Sequence, residues 1–405
     1  MTKFRTLDDL DVRGKRVLLR ADLNVPTKNG VVTDTTRIDR LAPTIETLIE
    51  KGAKVIVMSH FGRPKGTRDP AFSLRPLVAL LSRAIGGRDV AFAEDCTGNE
   101  AKRVVSALQP GQVALLENLR FHKEEEANSS DFARALAELG DIYVDDAFSA
   151  AHRAHASIDA LARLLPNAAG KLMQAELTAL TAALETPRRP VLALIGGAKV
   201  STKLDLLRFL VGRVDILAVA GAMANTFLFA EGREIGRSLC ERDMADSARQ
   251  ALALTRRQNC RVVMPEDVVV APRLEPGVAT RTVAIEAVPS DMMILDVGLR
   301  TVTRIGALLE EARTLVWNGP LGAFETPPFD KGTTALAKKI GELTRAGRLL
   351  SVSGGGDTVA ALDAAGVTNE LSYVSAAGGA FLEWLEGREL PGVAALAPAD
   401  REQPR

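Results

Sequence analysis

Residues 171–203 read KLMQAELTALTAALETPRRPVLALIGGAKVSTK, and the succession of textures in this stretch decides the fold. Apolar side chains recur every three or four positions across 171–185, the spacing of an amphipathic helix. TPRRP (186–190) then breaks the pattern with two prolines. A near-continuous apolar run follows at 190–196, of the kind a parallel strand carries when both its faces are covered. Two glycines close that run, and a second helical pattern opens within a few residues.

The same alternation extends in both directions. Short apolar, β-branched runs predict strands at 16–22, 54–60, 113–118 and 142–147 before this stretch, and at 190–196, 215–221, 261–264, 293–298, 314–318 and 348–353 from it onward. Helical patterns such as 38–51 lie between them. Repeated strand–helix alternation implies right-handed crossovers, hence an α/β parallel-sheet fold. The boundary is expected at 171–185. Pro26 to Gly30 reads as a simple turn, and the polar tail 397–405 as a surface segment.

Composition narrows the function classes. The chain has 405 residues, 46% of them hydrophobic and 25% charged, which excludes a disordered or fibrous protein. Lys plus Arg is 51 and Asp plus Glu is 51, whereas a dedicated nucleic-acid binder carries a basic excess. No apolar run approaches the roughly 20 residues of a membrane helix, and the start lacks the apolar centre of a signal peptide. Cys96, Cys240 and Cys260 form neither a disulfide framework nor a CxxC pair. A cytoplasmic protein is expected.

In open α/β sheets, ligands bind beyond the carboxyl ends of the strands. In the first half those positions hold Asp22 and Asn24, His60 with Phe61, Gly62 and Arg63, then Arg120, then His152, Arg153 and His155; Arg37 opens the first crossover helix. Arginines converging on one rim describe a site for a small polyanion, because guanidinium forks match phosphate and carboxylate. HRAH (152–155) could also be a metal pair, with His60 or His122 as a third ligand. Asp145 and Asp146 could hold magnesium, or cap helices and pair with arginines.

The second half carries glycines instead. GGAKVSTK (196–203), NGPLGAFE (318–325) and SGGGDT (353–358) each follow a strand. Such loops let backbone amides approach a phosphate at a helix N-terminus. No GxxxxGK[ST] loop and no GxGxxG fingerprint occurs. Lys199 and Lys203 share one helix face, either around an anion or in solvent. Asp357 with Thr358 is an N-cap pair or an acid for a nucleotide's magnesium.

Taken together, RADLNVP (20–26), SHFGRPKG (59–66), LLENLRFH (115–122), DDAFSAAHRAHAS (145–157), GGAKVSTK (196–203), VWNGPLGAFE (316–325), SGGGDT (353–358) and GAFLEWLEGRELPGV (379–393) resemble the phosphoglycerate kinase family from about residue 4 to about residue 396. The resemblance implies an α/β fold of two doubly wound, Rossmann-like parallel-sheet domains joined by a hinge helix, the first a glycerate-binding domain, 1–170, onto which the C-terminal segment 390–405 packs back. It implies a nucleotide-binding domain, 171–389, that starts with the interdomain helix 171–185. It implies a monomer with no nucleic-acid or membrane partner, catalysing reversible in-line phosphoryl transfer from 1,3-bisphosphoglycerate to MgADP to give 3-phosphoglycerate and MgATP, with hinge closure.

Carried over by motif, Asp22, Asn24, Arg37, His60, Phe61, Gly62, Arg63, Arg120 and Arg153 would hold the glycerate. Lys199, Lys203, Asn318, Glu325 and the loop Gly354, Gly355, Gly356, Asp357, Thr358 would hold the nucleotide. Arg37, Lys199, Lys203, Gly355 and Gly356 would act on the migrating group, and Asp357 would be the protein ligand to Mg2+. Three segments depart from the family pattern. Ser149-Ala150-Ala151-His152-Arg153 stands for GTAHR, Ala220 to Phe227 (AGAMANTF) for GGGMAFTF, and Ser375 to Ala380 (SAAGGA) for STGGGA. The added methyl groups of the second would tighten the adenine pocket or tilt the purine. A non-catalytic sensor on the same scaffold, or a kinase for another small carboxylate, are the competing readings.

Overall fold

A computed structural model describes residues 4–397. Among them, those up to Leu177 and those from Glu389 onward form one compact unit, and Thr178–Arg388 form the other. The division thus falls inside the helix Lys171–Leu184 rather than at its start.

The first unit is built on a six-stranded parallel sheet in the spatial order Val90–Ala93, Val113–Leu116, Lys54–Met58, Arg16–Arg20, Ile142–Asp145, Asn167–Ala169. The central runs are buried on both faces, which is why they read as unbroken apolar stretches. Arg20 pairs with Met58 on one side and with Asp145 on the other, so three strands end at one level. The winding direction changes beside Arg16–Arg20, where a crevice opens in such sheets. Pro26 to Gly30 is more than a turn. Thr27–Lys28 pairs antiparallel with Val31–Val32, across Asn29 and Gly30 at positive φ. In the same unit, Gly392 donates to the Ala151 carbonyl at 2.9 Å and Asn167 Nδ2 to that of Ala395 at 3.0 Å. The remainder of the expected tail, 398–405, lies outside the described residues.

The second unit has its own six-stranded parallel sheet, ordered Arg261–Val263, Ile216–Val219, Val191–Ile195, Thr314–Asn318, Leu350–Gly354, Tyr373–Ser375. Ile195 pairs with both Val219 and Asn318, and Trp317 with Ser353, so the glycine-bearing loops leave from one edge.

One expected parallel strand belongs elsewhere. Met293–Val297 pairs antiparallel with Asp267–Ala271, which also pairs antiparallel with Arg281–Ala284. Parallel neighbours need a crossover of a dozen or more residues, usually helical, and no helix lies between Arg261–Val263 and Asp267–Ala271 or between Arg281–Ala284 and Met293–Val297 beyond a single short turn. The chain therefore folds back on itself into a small separate sheet.

No described helix is long and apolar enough to cross a membrane. Asp145 and Asp146 serve the backbone. Asp145 Oδ1 accepts from Ala147 N–H at 2.9 Å. Asp146 Oδ1 accepts from Leu172 and Met173 N–H at 2.8 and 3.0 Å, capping the helix Lys171–Leu184. Burial pushes the Asp146 carboxyl up to about 6. A carboxyl raised above its unfolded value favours the fold while protonated, and that contribution is lost as pH rises from about 4 to about 6. Urea unfolding of the first unit should therefore show Asp146→Ala destabilised by about 1–2 kcal/mol. Asp146→Asn, which keeps the accepting oxygen, should weaken the pH dependence in that window, to which the buried Asp145, raised to about 7, also contributes; an unchanged pH profile would contradict the assignment.

Candidate active site

In the first unit the arginine rim is organised by a carboxylate. Arg37, near the start of the helix Thr36–Glu50, donates to Asp22 Oδ2 at 2.6 Å and to the Asn24 carbonyl at 3.0 Å. Asp22 also accepts from Asn24 N–H at 3.0 Å and from the Ser149 hydroxyl. Asn24 Oδ1 accepts from Gly62 N–H at 2.9 Å, and Arg120 donates to the Gly62 carbonyl at 2.9 Å. Asp22, Asn24, Arg37, Gly62 and Arg120 therefore form one connected network across three strand ends, and Phe61 joins it through Asn118, which accepts from its N–H at 3.2 Å. Arg63 is exposed. Arg153 Nε donates to His152 Nε2 at 3.2 Å.

These cations crowd one another. Arg120, buried and 3.2 Å from Glu126, is held down at about 10 by burial, with Arg153 and Arg20 opposing its charge. His60 is held well below the ordinary histidine value by burial first, then by Arg20, Arg120, Arg153 and His155. His155 is lowered to about 4 by burial and the same arginines. An excess of mutually repelling cations around neutral imidazoles is an environment that an anion relieves. It is a poor one for a metal cation. Among the described residues, the single grouping of three potential metal ligands is Asp95, Cys96 and His122, without His152 or His155. There His122 Nε2 already lies 2.7 Å from Asp95 Oδ1.

In the second unit the loops close around Lys203. Its ammonium donates to the Gly196 carbonyl at 2.6 Å and to that of Asn318 at 3.2 Å. Gly319 makes this approach feasible. Its φ is +99°, and a Cβ there would lie 2.3 Å from the Gly196 oxygen and 2.7 Å from Lys203 Nζ. Thr358 Oγ1 accepts from Gly319 N–H at 2.7 Å, and Asn318 Nδ2 donates to the Gly354 carbonyl at 2.7 Å. Thr358 and Asn318 thus bind the loops to each other, and Asn318 Oδ1 stays buried without a partner. Burial lowers Lys203 to about 8, with Asp357 pulling the other way. Gly356 and Asp357 open the exposed first turn of the helix Gly356–Ala365, next to Gly355 at φ +96°. Lys199 is exposed on its loop.

Beside these loops lies a cavity of about 530 Å³ whose lining includes Gly197, Ala222, Asn225, Leu239, Glu325 and Asp357. This is the size of a small-molecule site. Of the two added methyl groups, that of Ala222 reaches the cavity wall, whereas Ala220 is packed in the hydrophobic core. Asn225, where the family pattern has phenylalanine, is buried in that wall. Its Nδ2 donates to the Leu239 carbonyl at 3.1 Å and its Oδ1 has no partner.

An arginine network on one parallel sheet, and a lysine clamped by glycine loops beside a nucleotide-sized cavity on another, match what a single family carries. The family model of phosphoglycerate kinase matches residues 7–388. The chain belongs to the phosphoglycerate kinase family. It is 59% identical over 397 residues to the phosphoglycerate kinase of Methylorubrum extorquens strain PA1, covering 98% of this chain and 99% of that one. It is 59% identical over 393 residues to that of Rhodospirillum centenum, covering 97% and 99%. The solved phosphoglycerate kinase of Coxiella burnetii superposes with a TM-score of 0.91 at 43% identity, covering 97% of this chain and 99% of that one. That of Pyrococcus horikoshii gives 0.79 at 31%, covering 97% and 98%.

Sequence reasoning missed Ser149, whose hydroxyl shares Asp22 with Arg37, although it stands in a segment that departs from the family pattern. It also passed over Arg20. A basic residue closing an otherwise apolar run was the available signal.

The lowered Lys203 has a measurable consequence. A polyphosphate held against it would stabilise the ammonium and raise its pKa, so if Lys203 serves the nucleotide, MgADP binding between about pH 8 and the ordinary lysine value near 10.4 should take up a proton. Calorimetry in two buffers of different ionisation heat should show uptake near pH 8.5, absent in Lys203→Met. Identical heats in both buffers would contradict it.

Proposed function

We propose that this chain transfers a phosphoryl group reversibly between 1,3-bisphosphoglycerate and MgADP, yielding 3-phosphoglycerate and MgATP, by direct in-line displacement. The observation that carries the reading is the pairing of Asp22-fastened Arg37 on one sheet with carbonyl-clamped Lys203 on the other. Each is a cation fixed in place before a ligand arrives. Transfer of a phosphoryl group needs positioning and charge stabilisation more than covalent help. The acyl phosphate is a reactive donor and the nucleotide oxygen an anionic nucleophile, so no general base is required.

On this reading Arg37, Arg63, Arg120, Arg153 and His60, with Asp22 and Asn24, hold the glycerate, Phe61 and Gly62 shaping the loop. Lys199, Asn318, Glu325, Thr358 and Gly354 hold the nucleotide, with the base in the cavity beside Ala222. Lys203 and Arg37 neutralise the migrating group, and the amides of Gly355 and Gly356 add donors at a helix N-terminus. An exposed hard-oxygen donor beside the phosphate loops suits magnesium, and Asp357 is that donor. When bound, the metal supplies charge neutralisation on the nucleotide phosphates. Because the two sets of groups lie on separate units, reaction requires closure that brings donor and acceptor atoms to roughly 3–3.5 Å. Three unpaired cysteines support a reducing, cytoplasmic setting, and the family resemblance supports a monomer.

A coupled assay supplying 3-phosphoglycerate and MgATP, with glyceraldehyde-phosphate dehydrogenase consuming NADH, tests the reading. Magnesium-dependent turnover is expected. Lys203→Ala should lower kcat by at least about a hundredfold with a smaller change in nucleotide binding, and Arg37→Ala should lower both kcat and glycerate affinity. Tight 3-phosphoglycerate binding without turnover would favour a sensor.

A further inference from the structure

Beneath the arginines of the first unit lies a buried group of polar side chains outside the ligand-holding set. Arg20 closes the Arg16–Arg20 strand yet is only 1% exposed, a costly place for a guanidinium unless its donors are satisfied. Its Nε donates to Ser157 Oγ at 2.8 Å, one terminal nitrogen donates to the Ala21 carbonyl, and the other lies 3.2 Å from Nδ1 of His60. Ser157 Oγ in turn donates to Glu125 Oε1 at 2.6 Å, and its N–H donates to Glu125 Oε2 at 2.9 Å. The Tyr143 hydroxyl fixes the Ser157 carbonyl at 2.8 Å. Glu125 is fully buried. A continuous chain therefore runs from Glu125 through Ser157 and Arg20 to His60.

A guanidinium has donors and no acceptor. Facing it, Nδ1 of His60 must accept, which leaves the ring's proton on Nε2; an imidazolium would set two donors against each other. Nε2 meets no acceptor among the described residues. We propose that Arg20 is a positioning residue which, fastened through Ser157 to Glu125, holds His60 as a neutral ring that donates from Nε2 to the anionic end of the glycerate ligand. For the identity of that ligand the inference rests on the function proposed above. The charged and titratable groups that face His60 are Arg20, Arg120, Arg153 and His155, and all four oppose its protonation. With arginines supplying the charge, a neutral fixed donor adds direction, which a flexible cation would not.

Long-range proton–nitrogen spectra of the histidine rings in the full, ligand-free chain test this, with His60→Gln giving the assignment. His60 is expected as a neutral ring protonated on Nε2 at pH 7. Arg20→Met combined with Glu125→Gln removes both buried charges together, so that neither is left stranded. In that variant His60 should exchange between tautomers and take up a proton at higher pH than in the parent. Its KM for 3-phosphoglycerate should rise about tenfold, with the KM for MgATP within about twofold. A proton on Nδ1 in the parent chain, or unchanged ring spectra in the variant, would overturn the inference. An Nε2-protonated ring in a chain that does not bind 3-phosphoglycerate would overturn the proposed function and leave the buried chain of bonds intact.

Discussion

Parallel register is the constraint on which the functional groups depend. Because Arg20 stands level with Met58 and Asp145, and Ile195 with Val219 and Asn318, each sheet delivers several chain segments to one edge at one height. The side chains just beyond those strand ends become neighbours without any long-range device. Asp22 can reach Arg37, and Asn24 can reach Gly62. On the other sheet, the Gly196 and Asn318 carbonyls come near enough to share one ammonium.

The two edges solve different electrostatic problems. On the first, cations are gathered in excess and their mutual repulsion is tolerated. Two carboxylates, the half-buried Asp22 toward Arg37 and the fully buried Glu125 beneath Arg20, hold the geometry while the rim stays short of negative charge. On the second, a single lysine is desolvated against backbone carbonyls, so its charge costs more to maintain until an anion arrives. Both arrangements fix positive charge before substrate binds. That is the preorganisation phosphoryl transfer needs, since no solvent has to reorganise as charge migrates.

Much of this was legible in the sequence, for identifiable reasons. Doubly covered strands such as Val191–Ile195 are apolar throughout and announce themselves. Expected strands 16–22, 54–60, 142–147 and 215–221 all ran past the observed ends at Arg20, Met58, Asp145 and Val219, because hydropathy cannot tell the last paired residue from the first loop residue. Those overrun positions include Asp22 and His60, so the error fell at the functional rim. Edge strands Val90–Ala93, Asn167–Ala169 and Tyr373–Ser375 were too short to stand out. The antiparallel sheet around Asp267–Ala271 was hidden because an apolar run carries no mark of its partner's direction. The site residues came from motif and placement together. Ser149 and the burial of Arg20 needed coordinates, because only a three-dimensional neighbourhood shows which polar group a carboxylate or imidazole has already engaged.

In the proposed reaction the protein positions charge around a single direct displacement and forms no covalent bond to the phosphoryl group. The stereochemical course at phosphorus tests it most directly, using ATP made chiral at its γ-phosphorus with oxygen isotopes and analysing the acyl phosphate formed. One in-line displacement predicts inversion of configuration. Retention would require two displacements through a phosphorylated side chain and would contradict direct transfer.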